Sequence, residues 1–133
     1  MPKLETLSNE QLAEQFKQLS FKQAEDEATN DSRAYNRRFH QLNEIGTELR
    51  RRGPDARRAL IPLLDPPRAD APQITRITAL AQCRYNAARE LLAVEPERAR
   101  ATLEQVADGV AQIQMARARG TLEALDNGTL QPT

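Results

Sequence analysis

The sequence predicts an all-α fold, about six helices stacked as antiparallel pairs, on three observations. Apolar residues recur every three or four positions along most of the chain. Valine occurs only at Val94, Val106 and Val110, and no stretch alternates apolar with polar residues, so the strand signature is missing. With no tryptophan, three phenylalanines and two tyrosines, the core must be built mainly from leucine, isoleucine and alanine, of which alanine and leucine are strong helix formers. The length of 133 residues suits one domain, residues 1–133, closing in a short tail at 127–133. A chain of that size buries roughly two-thirds of its unfolded surface, enough to fold alone.

The first helix is announced by Ser8 as N-cap, with Gln11 completing a capping box and Leu7 with Leu12 forming a hydrophobic staple. Leu12, Phe16 and Leu19 follow at helical spacing. Asn30, Asp31 and Ser32 break the helix and cap the next one. That second helix is expected over Ser32 to Arg52, with Tyr35, Phe39, Leu42, Ile45 and Leu49 on one apolar stripe. Gly46 sits beside the stripe and implies close approach of a neighbouring helix, since glycine inside a helix costs about 1 kcal/mol against alanine. Gly53 ends the helix and Pro54 opens the next.

The third helix, Pro54 to Leu64, exposes an apolar edge of Leu60, Leu63 and Leu64, and Pro62 must bend or shorten it. Residues 68 to 73 read as a polar loop, with Pro72 starting the fourth helix. This one is expected from Gln73 to Val94, with Ile74, Ile77, Ala81, Tyr85, Ala88 and Leu92 on one face. Pro96 starts a fifth helix carrying Leu103 and Val106, which Gly109 breaks. A sixth carries Ile113, Ala118, Leu122 and Leu125, interrupted by Gly120 and stopped at Asn127-Gly128. The proline-led, arginine-bearing starts at Pro54 and Pro96 lie 42 residues apart, a spacing typical of the HEAT and armadillo class of α-α superhelix.

Charge narrows the function classes. Lysine plus arginine and aspartate plus glutamate number 19 each, so the formal net charge is zero and a globally basic nucleic-acid binder is excluded. The charge is uneven, however. Residues 1–31 hold seven acidic and three basic side chains, and residues 32–68 hold nine arginines against four acids. Arg50, Arg51, Arg52, Arg57 and Arg58 crowd one helix–helix corner. The plain reading is helix-dipole compensation plus ion pairs to the acidic first helix. The functional reading is a partner-binding surface, because the arginine fork suits carboxylates. The run Glu25, Asp26, Glu27 reads as a solvated face.

Little reactive chemistry is visible. His40 is the single histidine and has no nucleophile or ligand companions nearby, so it reads as a surface or half-buried side chain. Cys83 is the single cysteine and reads as a core thiol. The five glycines form no phosphate cradle. No metal site, cofactor or catalytic group is expected. No apolar run approaches the roughly 18 residues of a membrane span, which together with the lone cysteine suggests a cytoplasmic, bacterial protein.

Three segments carry a family resemblance. YNRRFHQLNEIGTELRRRGPDARRALIPLLDPP (35–67), AARELLAVEPERARATLEQVA (87–107) and LEALDNGTLQPT (122–133) are similar, in order and spacing, to a small bacterial domain-of-unknown-function family, numbered twenty-nineteen. The chain departs from its pattern between Arg68 and Arg84, a stretch richer in isoleucine and threonine. The resemblance implies a helical, HEAT-like superhelix and no activity, cofactor or catalytic residue. The function expected is therefore a non-enzymatic protein–protein interaction module, an adaptor or a toxin-neutralising protein, docking an acidic protein partner on the arginine corner. Binding of a nucleic-acid backbone is the alternative, and a homodimer is compatible with either.

Overall fold

The Ser8 box is in place. Its hydroxyl oxygen accepts from the Gln11 N–H at 3.1 Å, and its own N–H donates to Gln11 Oε1 at 2.8 Å. From this cap runs α1, Asn9–Ala28. The computed structural model describes residues 3–65 and 74–133, the side chains of residues 74–76 excepted. After α1, Asn30 turns the chain at φ 58° and Asp31 caps α2, Ser32–Arg52, by accepting from the Ala34 N–H at 3.0 Å. Gly53, at φ 111°, lies in the region that suits glycine, and Pro54 opens α3, Pro54–Arg57. Pro62 has the expected effect: residues Arg58–Leu64 are wound as a 3-10 helix instead of continuing α3. Then come α4, Ile74–Leu91, α5, Pro96–Ala107, and α6, Gln112–Asp126. Gly120 does not interrupt α6. The expected loop at 68–73 and its Pro72 lie outside the described residues. Among the described residues there is no strand, and none of the helices is long and apolar enough to cross a membrane.

Leucine and alanine make the core. Leu12, Leu60, Leu91, Leu103, Ala87, Ala88, Ala99 and Ala118 are fully buried, with Phe16 and Ile45 beside them. Alanine faces let α4, α5 and α6 sit close together. α1 is central to one half of the molecule: both α2 and α4 pack on it, while α4 also packs on α5 and α5 on α6. Because α2 and α4 meet α1 more than each other, a groove is left between them.

Two stripes differ from expectation. On α2, Leu42, Ile45 and Leu49 are buried but Phe39 is 54% exposed, because the stripe passes over the open groove at that point. On α6, Ala118 is buried, whereas Ile113 stands out at the α5–α6 turn together with Val110. The buried face of α4 is wider than expected: Ala88 and Leu92 are buried as expected, Gln82, Cys83, Arg84, Ala87 and Leu91 are buried as well, and Ala81 and Tyr85 are half-buried. Helix α4 lies between α1 and α5, so two of its sides are covered.

Candidate functional site: the α2–α4 groove and its amide ladder

The five corner arginines are all paired within the molecule. Arg51 and Arg52 share the Glu48 carboxylate. Arg52 also donates to Asn9 Oδ1 and to the Leu4 carbonyl, each at 3.0 Å. Arg58 bridges Asp55 at 2.9 Å and Glu95 at 3.2 Å. Arg57 is only 8% exposed and donates to the carbonyls of Glu90 and Thr133, at 2.5 and 2.9 Å. Burial pushes its pKa down from the ordinary arginine value. Arg50 donates to Thr47 at 3.1 Å and lies 3.7 Å from the Glu90 carboxylate. The partners are thus Glu48, Asp55, Glu90 and Glu95, and the acids of α1 pair elsewhere. Asp26 faces Arg38 of α2 at 3.5 Å, and Glu27 grips Arg117 of α6 through two contacts. The solvated-face expectation therefore holds for Glu25, which is exposed, and fails for its two neighbours, which point across to other helices.

Cys83 is buried, and burial raises its thiol pKa to about 12, so it is a packed core thiol and no nucleophile at neutral pH. His40 is exposed and its ring lies edge-on to that of Phe39, with centroids 5.8 Å apart.

What the structure does bring together is a groove of about 430 Å³. Its floor is Phe16 and Gln23 of α1. One wall is Tyr35, Phe39, Leu42, Asn43 and Arg50 of α2, and the other is Gln82, Tyr85, Asn86, Arg89 and Glu90 of α4. Residues 130–133 and Arg117 close its ends. At one end the Glu90 side chain lies over Gly46, where a Cβ would come within 2.8 Å of its Cδ. The close approach inferred from Gly46 is therefore made by a carboxylate rather than by a helix backbone. At the other end the Arg117 guanidinium stacks 5.4 Å from the centre of the Tyr35 ring. Desolvation raises the Tyr35 pKa above its ordinary value, which keeps the hydroxyl neutral.

Three glutamines, one each from α1, α4 and α6, form a ladder that starts in the groove with Gln23 and Gln82 and ends behind it at Gln114. Gln23, Gln82 and Gln114 are 2%, 1% and 1% exposed. Gln114 Nε2 donates to Gln82 Oε1 at 3.0 Å, and Gln82 Nε2 donates to Gln23 Oε1 at 3.1 Å. Asn86 braces the ladder: it accepts from Gln82 Nε2 and donates to Ser20 Oγ and Gln23 Oε1, each at 3.0 Å. Arg117 adds a donor to Gln82 Oε1 at 3.0 Å. On the groove wall, Tyr85 shares a 2.9 Å hydrogen bond with Thr121 and accepts from Arg89 at 3.2 Å. Among the described residues no group of three or more histidine, cysteine, aspartate or glutamate side chains could hold a metal.

A family model described as a domain of unknown function (DUF2019) matches residues 10–126, and the chain belongs to that family. The fold is also similar to the crystal structure of the protein RPA1889 from Rhodopseudomonas palustris CGA009. The two are 29% identical, with a TM-score of 0.84 and 100% of each chain covered. No curated protein matches the chain.

Proposed function

We propose that the protein is a partner-binding module that acts by docking rather than by chemistry, and that the docking surface is the α2–α4 groove instead of the arginine corner. The partner is an extended, acidic segment of another protein. The observation that carries this reading is Arg89. Its only partner among the described residues is the Tyr85 hydroxyl, so this groove cation has no carboxylate partner among them and lies beside an exposed Phe39 and the Tyr35 ring. A stacked-helix scaffold presents such grooves to extended chains. The volume of about 430 Å³ accommodates a few side chains, within the usual size of small binding clefts.

The test is fluorescence anisotropy with a labelled peptide alternating leucine and glutamate. Binding is expected at low salt and weakens as salt rises, because an exposed charge contact is screened. Phe39→Ala and Arg89→Gln weaken it, whereas Arg51→Ala leaves it unchanged. No binding at low salt, or binding that responds to Arg51 and ignores Phe39 and Arg89, defeats the reading.

A further inference from the structure

We infer that Gln23 is the specificity-determining residue of the groove, offering a fixed hydrogen-bond donor to a carboxylate side chain of the bound partner; the inference rests on the docking reading above. The argument begins at Arg117. A guanidinium can only donate, so the Gln82 oxygen must be the atom that faces Arg117 and Gln114. The Gln82 nitrogen is then turned toward α1, where it donates to Gln23 Oε1. Asn86 donates to the same oxygen. With its oxygen engaged twice, Gln23 has one group left, its Nε2, which donates to none of the described residues and is open to the groove, whereas the ladder's sealed, unpartnered atom is Gln114 Oε1. Gln23 lines the groove while being 98% withdrawn from solvent, since it is 2% exposed.

An arginine on α6 thus sets the polarity of amides on α4 and α1, and what reaches the groove is a donor that cannot rotate to become an acceptor. A donor held in this way rejects a ligand that brings another donor, because both N–H groups would be left unpaired on burial. The Tyr35 hydroxyl, neutral and without a partner among the described residues, is a second donor on the same groove. With Arg89 supplying the uncompensated positive charge, the acceptor that fits is an ionised carboxylate, from glutamate or aspartate of an extended segment.

The experiment uses the whole chain, isotopically labelled in its side-chain amides, with the leucine–glutamate peptide, a leucine–lysine peptide and inorganic phosphate as probes. The expected result is a downfield shift of the Gln23 amide protons with the glutamate peptide alone. Gln23→Glu keeps the acceptor that Gln82 and Asn86 use but presents an oxygen to the groove. It should weaken the glutamate peptide at least about tenfold, as loss of a hydrogen bond to a charged group does, and should not weaken the lysine peptide. The amide shift in the unmodified chain carries the test even if the variant fails to fold. Binding of the glutamate peptide with an unmoved Gln23 amide and an unchanged affinity in Gln23→Glu overturns the role of Gln23 and leaves the docking reading intact. Absence of any peptide binding removes both. A shift caused by phosphate and not by the peptide overturns the carboxylate assignment.

Discussion

The corner around Gly53 and the groove between α2 and α4 contain the same kind of side chain in opposite circumstances. At the corner, Arg51, Arg52, Arg57 and Arg58 each find a carboxylate or carbonyl of this chain. In the groove, Arg89 finds only a hydroxyl among the described residues, and the Gln23 Nε2 donates to none of them. The corner is crowded with charge and nearly all of its donors are engaged, Arg57 Nε being a buried exception. The groove has fewer charges, and though its Arg50 and Arg117 are paired, Arg89 has no carboxylate partner among the described residues. Density of charge along a sequence is therefore a poor guide to where a surface can bind; what matters is how many of the donors the fold itself has already engaged.

The sharpest way to break this contrast is inside the ladder. Gln82→Leu removes an amide that makes four hydrogen bonds, leaving Asn86 Oδ1 and Gln114 Nε2 unmet while Gln23 keeps Asn86 and Arg117 keeps Glu27. Stability should fall by about 3 kcal/mol, read from the urea midpoint, because buried groups left unpaired cost their desolvation. Arg57→Ala comes next, at about 2 kcal/mol, since it strips the donors from the Glu90 and Thr133 carbonyls. If Arg57→Ala were instead neutral in stability, the hydrogen bonds of Arg57 to the Glu90 and Thr133 carbonyls would not be holding the corner together.

Gly46→Ala sharpens the comparison from the groove side. The added Cβ displaces the Glu90 carboxylate, which is the flexible end of a side chain. Helix propensity gains up to about 1 kcal/mol and the 3.7 Å contact to Arg50 is lost, so net stability should change by less than about 1 kcal/mol. Peptide binding should nevertheless change, as the groove loses its bridge at that end. The smallest effect is electrostatic. Hydrogen bonds from Arg51 and then Arg52 hold the Glu48 pKa at about 2, below its ordinary value of 4.5. A lowered carboxylate pKa contributes stability that is complete above pH 4.5 and is lost as pH falls toward 2. Glu48→Gln should therefore flatten the acid limb of the stability profile in that window and leave neutral-pH binding untouched.

Much of the fold was legible because local rules act locally. The Ser8 box, the Asp31 cap, the Gly53-Pro54 junction and the effect of Pro62 all occur at the positions the sequence indicates. The site was not legible, because it depends on which helices become neighbours. Gln82, between Ala81 and Cys83, interrupts the apolar run of α4, and Gln23 continues the α1 stripe after Phe16 and Leu19. Those are the signals, but a glutamine in an apolar register reads as an error until a second glutamine faces it. Phe39 failed in the opposite way: periodicity placed it on the buried stripe, while the separation of α2 from α4 left it open. The acids of α1 needed Arg38 and Arg117 opposite them before their burial made sense.

The ladder has a consequence for how this chain finds one native arrangement. Leucine and alanine are forgiving in shape, and helices faced with them can slide along one another with modest loss. A slip of one helical turn, about 5.4 Å, would carry Gln82 out of reach of both other glutamines and strand amides in hydrocarbon. The rungs from α1, α4 and α6 consequently act as a key that admits a single vertical alignment of three otherwise interchangeable greasy surfaces.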